Sequence, residues 1–357
     1  METDKIVAYI ESSFLSSLIK IDSITDISYN GESIFYLDNK KGRKKAEIKI
    51  SHNMAKDFIR QIANLCEKQF SFQNPILDVS AGKYRINAVH QSIARKGNEE
   101  ALTFAIRIAS NSLLIKPNSE FLSVANTELL DIFLRSHLSI VIGGETGSGK
   151  TELQKYLISR MPNATRLVVI DNVLELDYLN LYTNLDINTW QIDEKNNSQQ
   201  IQYYVRNALR NNPDWIIVAE SRGSEMNEVL NSAMTGHPII TTLHSLNAES
   251  MIDRMVSMVM MDNKAMAYED IRKDIEYHFR VYIYLKRNID EKGIVNRYIS
   301  SIAYLSKSKF ITLYKSDGVN EFYNSLNYDI YLDLKITNPS SEFKSIYLNE
   351  VKLWISF

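Results

Sequence analysis

The sequence predicts an α/β fold: a mixed α/β domain at the N-terminus, a second domain built on a doubly wound, largely parallel sheet, and a β-rich C-terminal extension. Three observations predict it. Between about 138 and 260, short apolar runs alternate with helical stretches, the rhythm of parallel strands joined by helices. Before about 120, strand pairs separated by turn residues surround an amphipathic helix. Beyond about 280 the chain turns aromatic and β-rich. With 357 residues, 45% of them apolar, there is material for two or three cores of ordinary size. The expected boundaries are 1–115 for the N-terminal domain, 116–125 for a linker around Pro117, 126–315 for the second domain and 316–357 for the extension.

Taken in order, Ile6, Val7, Ile10, Phe14, Leu15 and Leu18 recur at a helical period and predict one N-terminal helix. Its acids, Glu2 and Asp4, are unlike the basic start of a signal peptide. Ile27–Tyr29 and Ser33–Leu37 flank Asn30-Gly31, a hairpin signal whose loop can exceed two residues because Glu32 follows. A turn over 38–42 leads to a strand-like alternation from Ala46 to Ile50. Ser51 can then cap a helix with Met54, Phe58, Ile59, Ile62 and Leu65 on one face. Further strands are expected at Tyr84–Val89 and Leu102–Ile108, and a helix around Glu128–Leu134. In the second domain the strands are Leu138–Ile142, Arg166–Ile170, Trp215–Ala219 and Ile239–Leu243. The intervening helices are Lys150–Ser159, Ser198–Arg210, Ser224–Met234 and Ala248–Met260.

Charge and composition narrow the function classes. Forty-one Lys and Arg against 43 Asp and Glu give a net charge of -2, so no global basic field points to nucleic acid or an anionic membrane. The single cysteine, Cys66, excludes an intrachain disulfide and a thiolate metal cluster. No apolar run approaches the roughly 18 residues of a membrane span, so any membrane association is expected to be peripheral. Glycine is scarce, with 12 residues, yet Gly143, Gly144, Gly147 and Gly149 fall within seven positions.

That cluster belongs to Gly144-Glu145-Thr146-Gly147-Ser148-Gly149-Lys150-Thr151, which satisfies the phosphate-loop pattern G-x-x-x-x-G-K-[ST]. Such glycines let backbone N–H groups turn inward as an anion nest, and the helix that follows adds a partial positive charge. Lys150 would reach the β- and γ-phosphates of ATP, and the Thr151 hydroxyl would ligate Mg2+. Average residue frequencies give roughly one chance match per hundred chains of this length, and the expected strand before and helix after sharpen the signal.

The other strands supply an independent check, because ligands of open α/β sheets gather beyond the carboxyl ends of the strands. The first expected strand ends at the phosphate loop, the second at Asp171, the third at Glu220 and the fourth at His244. Glu220 follows an apolar run suited to a strand buried on both faces; it can hold a Mg2+-bound water or orient the water that attacks the γ-phosphate. His237 and His244 make a weak metal signature, and phosphate sensing or orientation of a neighbouring carboxylate suits them better.

At these residues the chain resembles the secretion-system traffic ATPases, the motors of type II and type IV secretion and of type IV pili, with the type IV secretion and Tad-pilus branch nearest. Four blocks carry the resemblance in the family's order: the phosphate loop; Arg166 to Leu176, similar to the acidic box; Ala208 to Glu225, similar to the second nucleotide motif; and Thr235 to Ala248, similar to the histidine box, followed by Asp253-Arg254. The resemblance implies a RecA-like phosphate-loop NTPase domain that hydrolyses ATP with Mg2+ held by Thr151 and, through water, Glu220. It adds Asp171, Glu175 and His244 as catalytic candidates, and Arg85 and Arg107 on two N-terminal strands as phosphate clamps.

The resemblance also implies a homo-hexamer at the cytoplasmic face of the membrane, working with inner-membrane components of a secretion or pilus machine; the balanced charge adds the expectation of no direct nucleic-acid binding. Two departures stand out. Asp171-Asn172 occupies the place of the family's usual Glu-Asp, and Ala219 the place of a glycine. The first keeps open a non-catalytic, nucleotide-gated scaffold, beside the other alternative of a nucleic-acid translocase with the same core, and the second is a modest change.

Overall fold

The computed structural model describes residues 2–110, 112–171, 176, 184–192, 199–262, 266–291 and 293–349. The chain divides into two compact units, 1–111 with 289–296, and 112–288 with 297–357.

In the N-terminal unit, α1 (Glu2–Glu11) and α2 (Ser16–Ile19) precede β1 (Ile24–Tyr29), β2 (Ile34–Asp38) and β3 (Gly42–Lys45). Then come α3 (His52–Leu65), β4 (Ile76–Ala81), β5 (Tyr84–Val89), β6 (Arg95–Lys96), β7 (Glu99–Glu100) and β8 (Thr103–Ile108). Six of these strands form a sheet in the order β3-β2-β1-β8-β5-β4, antiparallel throughout. The expected single N-terminal helix is instead broken at Ser12 and Ser13, whose hydroxyls donate to the Ala8 and Ile10 carbonyls and compete with the helical ladder.

The hairpin loop runs from 30 to 33, closed by Asn30 Oδ1 accepting from the Glu32 and Ser33 amides. The next strand lies at Gly42–Lys45, not at Ala46–Ile50, because pairing with β2 begins directly after the turn. Ser51 caps α3 by accepting from the Met54 amide at 3.2 Å. Phe58, Ile59 and Ile62 of α3 are buried against the sheet, whereas Met54 stands exposed in the first turn.

The second unit opens with α4 (Val124–Arg135), β9 (Ser139–Gly144), α5 (Lys150–Ser159), β10 (Arg166–Asp171) and β11 (Asp186–Gln191). It continues through α6 (Gln199–Ala208), β12 (Trp215–Val218), α7 (Met226–Met234), β13 (Ile239–Leu243), α8 (Ser250–Asp262) and α9 (Tyr268–His278). It ends with β14 (Phe279–Ile289), β15 (Val295–Ser306), β16 (Lys309–Ser316), β17 (Glu321–Tyr323), α10 (Tyr328–Asp333) and α11 (Ser341–Tyr347). Nine strands make one sheet, β11-β10-β12-β13-β9-β14-β15-β16-β17. Its first six strands are parallel, and the pairs from β15 to β17 are antiparallel.

Alternation along the parallel strands sorts their side chains into two cores. Ile140, Ile142, Leu167, Val169, Ile217 and Ile240 face α4 and α5. Val141, Val168, Ile170, Ile216, Val218 and Ile239 face α6 to α9. That double cover explains why β12 carries no polar residue: all four of its side chains are buried, each worth roughly 1.5–3 kcal/mol.

The C-terminal extension departs from its β-rich expectation. Among its described residues only Glu321–Tyr323 is a strand, and the rest that is regular forms α10 and α11. Asn327 and Ser340 cap these helices through their side-chain oxygens, a local signal that outweighs the β preference of the flanking tyrosines. Trp354 lies outside the described residues. Among the described residues no helix is long and apolar enough to cross a membrane.

Candidate active site

The loop between β9 and α5 is shaped by its glycines. Gly147 and Gly149 adopt φ of +76° and +101°, a region that a side chain would strain, and Gly149 forms the N-cap of α5. Ser148 is buried, and its amide and hydroxyl both donate to the Glu145 carbonyl. Lys150 is buried too, and its Nζ donates to the carbonyls of Gly144 at 2.9 Å and Glu145 at 3.0 Å. The charge is thus held over the loop rather than in solvent.

From Lys150 a polar chain crosses two strand ends. His244, directly after β13, places Nδ1 3.4 Å from Lys150 Nζ and Nε2 3.0 Å from Glu220 Oε1. Glu220 follows β12, and its Oε2 accepts from Arg222 at 2.7 Å. Oε1 is buried and has no hydrogen-bond donor aligned on it. Burial pushes the Glu220 carboxyl up, but the Arg222 hydrogen bond, then the charges of Arg222, His244 and Lys150, outweigh it and hold the group below its ordinary 4.5. Glu220 is therefore ionised at neutral pH, with Oε2 on Arg222 and Oε1 facing His244.

The strand ends are tied together behind this chain. Gln154 of α5, fully buried, donates to the carbonyls of Val218 and Ile240. Thr242 donates to the Ala219 carbonyl at 2.7 Å. Arg254 of α8 donates to the Arg222 carbonyl at 3.2 Å, and Glu225 accepts from the Arg222 and Gly223 amides. Arg222 is the residue whose importance the sequence did not reveal by itself; its spacing, two positions after a strand-end glutamate, is the signal.

The other candidates are distributed differently. Asp171 is buried at the end of β10, where its Oδ2 accepts from the Leu176 amide at 3.0 Å. Asn172 and Glu175 lie outside the described residues. His237 precedes β13 and bonds Thr235, so a strand of roughly 17 Å separates it from His244 and the two cannot share a metal. Among the described residues there is no cluster of three potential metal ligands. Arg85 and Arg107 belong to the N-terminal unit, directly opposite one another on β5 and β8; Arg85 lies 3.5 Å from Asp78 and Arg107 3.6 Å from Asp26.

The donors present suit a magnesium nucleotide. The Thr151 hydroxyl and the Glu220 carboxylate are hard oxygen ligands of the kind Mg2+ takes, and Glu220 Oε1, on which no donor is aligned, can accept from a metal-bound water.

The profile of the family described as "Type II/IV secretion system protein" matches residues 100–279. An uncharacterized protein of Bacillus anthracis is 32% identical over 324 residues, covering 85% of this chain and 71% of that one. The type IV secretion system protein VirB11 of Brucella suis is 30% identical over 213 residues, or 55% of this chain, which spans 58% of that relative. Among solved structures, the Yersinia pseudotuberculosis ATPase DotB superposes with a TM-score of 0.63 at 18% identity, covering 83% of this chain and 80% of that one, a likeness of fold. With the profile running across the strands that end at Lys150's loop, Asp171, Glu220 and His244, and with a relative aligned over most of both chains, this protein belongs to the type II/IV secretion system protein family.

Proposed function

We propose that the protein is an ATP-hydrolysing motor of a type IV secretion, conjugation or pilus apparatus. The observation that carries this is the chain Lys150–His244–Glu220, which joins the phosphate loop to an ionised carboxylate at the end of the neighbouring strand. ATP would bind with its β- and γ-phosphates against the loop from Gly144 to Thr151, including the amides near Glu145, Thr146 and Ser148, and with Lys150 Nζ leaving the loop carbonyls for phosphate oxygens. Mg2+, held by Thr151 and through water by Glu220, would neutralise charge on those phosphates.

Glu220 Oε1 would accept a hydrogen bond from the attacking water, whose oxygen bonds to the γ-phosphorus as the bond to the bridging oxygen breaks; the water's proton passes through Glu220 to solvent, leaving ADP and inorganic phosphate. His244 would keep Glu220 and Lys150 in register and report on the phosphate. Asp171 and Glu175 are proposed as further carboxylates of the site, and Arg85 and Arg107 as phosphate-binding cations. The same proposal extends to a homo-hexamer at the cytoplasmic face of the membrane, acting on inner-membrane components of the machine. The domain boundaries proposed for it are those expected from the sequence.

The test is Mg-ATP turnover by the purified full chain. Lys150→Ala should abolish it, and Glu220→Gln should lower kcat by roughly a hundredfold or more while ATP still binds. Turnover that survives Lys150→Ala overturns the motor. Tight ATP binding without wild-type turnover turns the proposal to the nucleotide-gated scaffold.

A further inference from the structure

The outer turn of the phosphate loop lies against two arginines from the neighbouring strands β14 and β15. Arg297, near the start of β15, donates from Nε to the Gly147 carbonyl at 2.7 Å. A β-carbon placed on Gly147 would stand 3.0 Å from Nη1 of Arg287, and one on Gly149 would stand 3.8 Å from Cδ of Arg297. Loop and arginines belong to the same unit of the chain.

Strand register explains why these two residues arrive there. β14 runs parallel to β9, with Tyr284 opposite Gly143 and Leu285 opposite Gly144. Val281, Ile283 and Leu285 share one face of β14 and enter one core. Arg287 is the next residue on that face, just beyond the point where β9 ends and the loop begins. Its guanidinium tip lies within 3.0 Å of a β-carbon placed on Gly147, a position whose φ of +76° already favours glycine.

Positive charge is concentrated at the loop. Burial depresses the Arg297 guanidinium first, the like charge of Arg287 depresses it further, and Glu152 opposes both. Glu152 is itself ion-paired with Lys155 at 2.9 Å. Lys150, Arg287 and Arg297 thus bring three positive charges to one loop. Guanidinium groups offer forked donors to phosphate oxygens and keep their charge when partly buried.

We propose that Arg287 and Arg297 serve the nucleotide site in cis: Arg297 positions the loop through the Gly147 carbonyl, and Arg287 gives a forked cation to the polyphosphate of the bound nucleotide. This rests on the ATPase function proposed above and adds one binding residue, Arg287, and one positioning residue, Arg297, both in the same unit as the loop and distinct from Arg85 and Arg107.

The experiment is equilibrium binding of a fluorescent ADP to the full chain, with unlabelled ADP and inorganic pyrophosphate as competitors. Arg287→Ala should weaken ADP and pyrophosphate alike by about tenfold or more, with Arg287→Lys recovering part of the loss and nucleotide-free thermal unfolding unchanged. For Arg297 the decisive pair is Gln against Met: Arg297→Gln keeps a neutral donor for the Gly147 carbonyl and should bind ADP more tightly than Arg297→Met. Wild-type binding that Arg287→Ala leaves intact overturns the inference and spares the ATPase proposal. Loss of ADP affinity without loss of pyrophosphate affinity also overturns it, by placing Arg287 on the base or ribose. A wild-type chain that binds neither ligand overturns both.

Discussion

Glu220 owes its ionisation to its neighbours, not to solvent. Burial alone would favour the protonated form, and the Arg222 hydrogen bond is the largest effect against it, followed by the charges of Arg222, His244 and Lys150. Because its folded value is depressed, the unfolded chain binds this proton more readily. The resulting stabilisation is full above the ordinary value of 4.5 and is lost as pH falls through the folded value. Arg222→Ala removes the leading contribution, so the acid limb of the pH–rate profile should move upward, and acid unfolding should begin at a higher pH. An acid limb that stays in place would show that Arg222 does not govern the titration of Glu220. The neighbouring Glu225 carboxylate, which holds the Arg222 amide, is the reason the guanidinium can be removed without freeing the backbone.

At the scale of elements, the C-terminal helices are held by a few polar contacts that can be cut singly. The Ser340 hydroxyl accepts from the Phe343 amide and donates to Glu128 of α4, and its own amide donates to the other Glu128 oxygen at 2.9 Å. Ser340→Ala should therefore cost about 1–2 kcal/mol, read as a lower denaturant midpoint with an unchanged slope. Tyr347, buried in α11, donates to Asn126 at 2.6 Å; Tyr347→Phe leaves that oxygen unsatisfied and should cost about 1–3 kcal/mol. Neither substitution should be neutral if α11 is part of the core.

These helices are also where the sequence was least legible. Tyrosine-rich composition suggested strands, whereas the deciding signals were two caps, Asn327 and Ser340, each visible only as a single polar residue. The parallel strands were legible because burial on both faces leaves unbroken apolar runs, as in Trp215–Val218. The phosphate loop was legible because its chemistry is local in sequence. Arg297 was not, since it meets the loop from 150 positions away, through strand register that no local pattern encodes. The break in the first helix, at Ser12 and Ser13, was written in serines that helical periodicity ignores.

At the scale of the whole molecule, the chain has separate hydrophobic cores in its two units: one around Ile27, Phe58, Ile59 and Phe104, and two on the faces of the nine-stranded sheet. Separate cores of this kind depart from two-state unfolding, so calorimetry of the full chain should resolve two transitions. Nucleotide provides the assignment. ADP at a hundred times its dissociation constant stabilises whatever binds it by about 2.7 kcal/mol, a rise on the order of 5–10 °C for a unit of this size. The loop, Lys150, His244 and Glu220 all lie in the second unit, and Arg85 and Arg107 are proposed for the γ-phosphate that ADP lacks, so with ADP only one transition should move. Ile59→Ala, a fully buried deletion worth about 2–5 kcal/mol, should lower the other and leave the ADP-sensitive one in place. A single transition that responds to both ADP and Ile59→Ala would instead mean that the two units unfold as one, with nucleotide affinity felt through the entire chain.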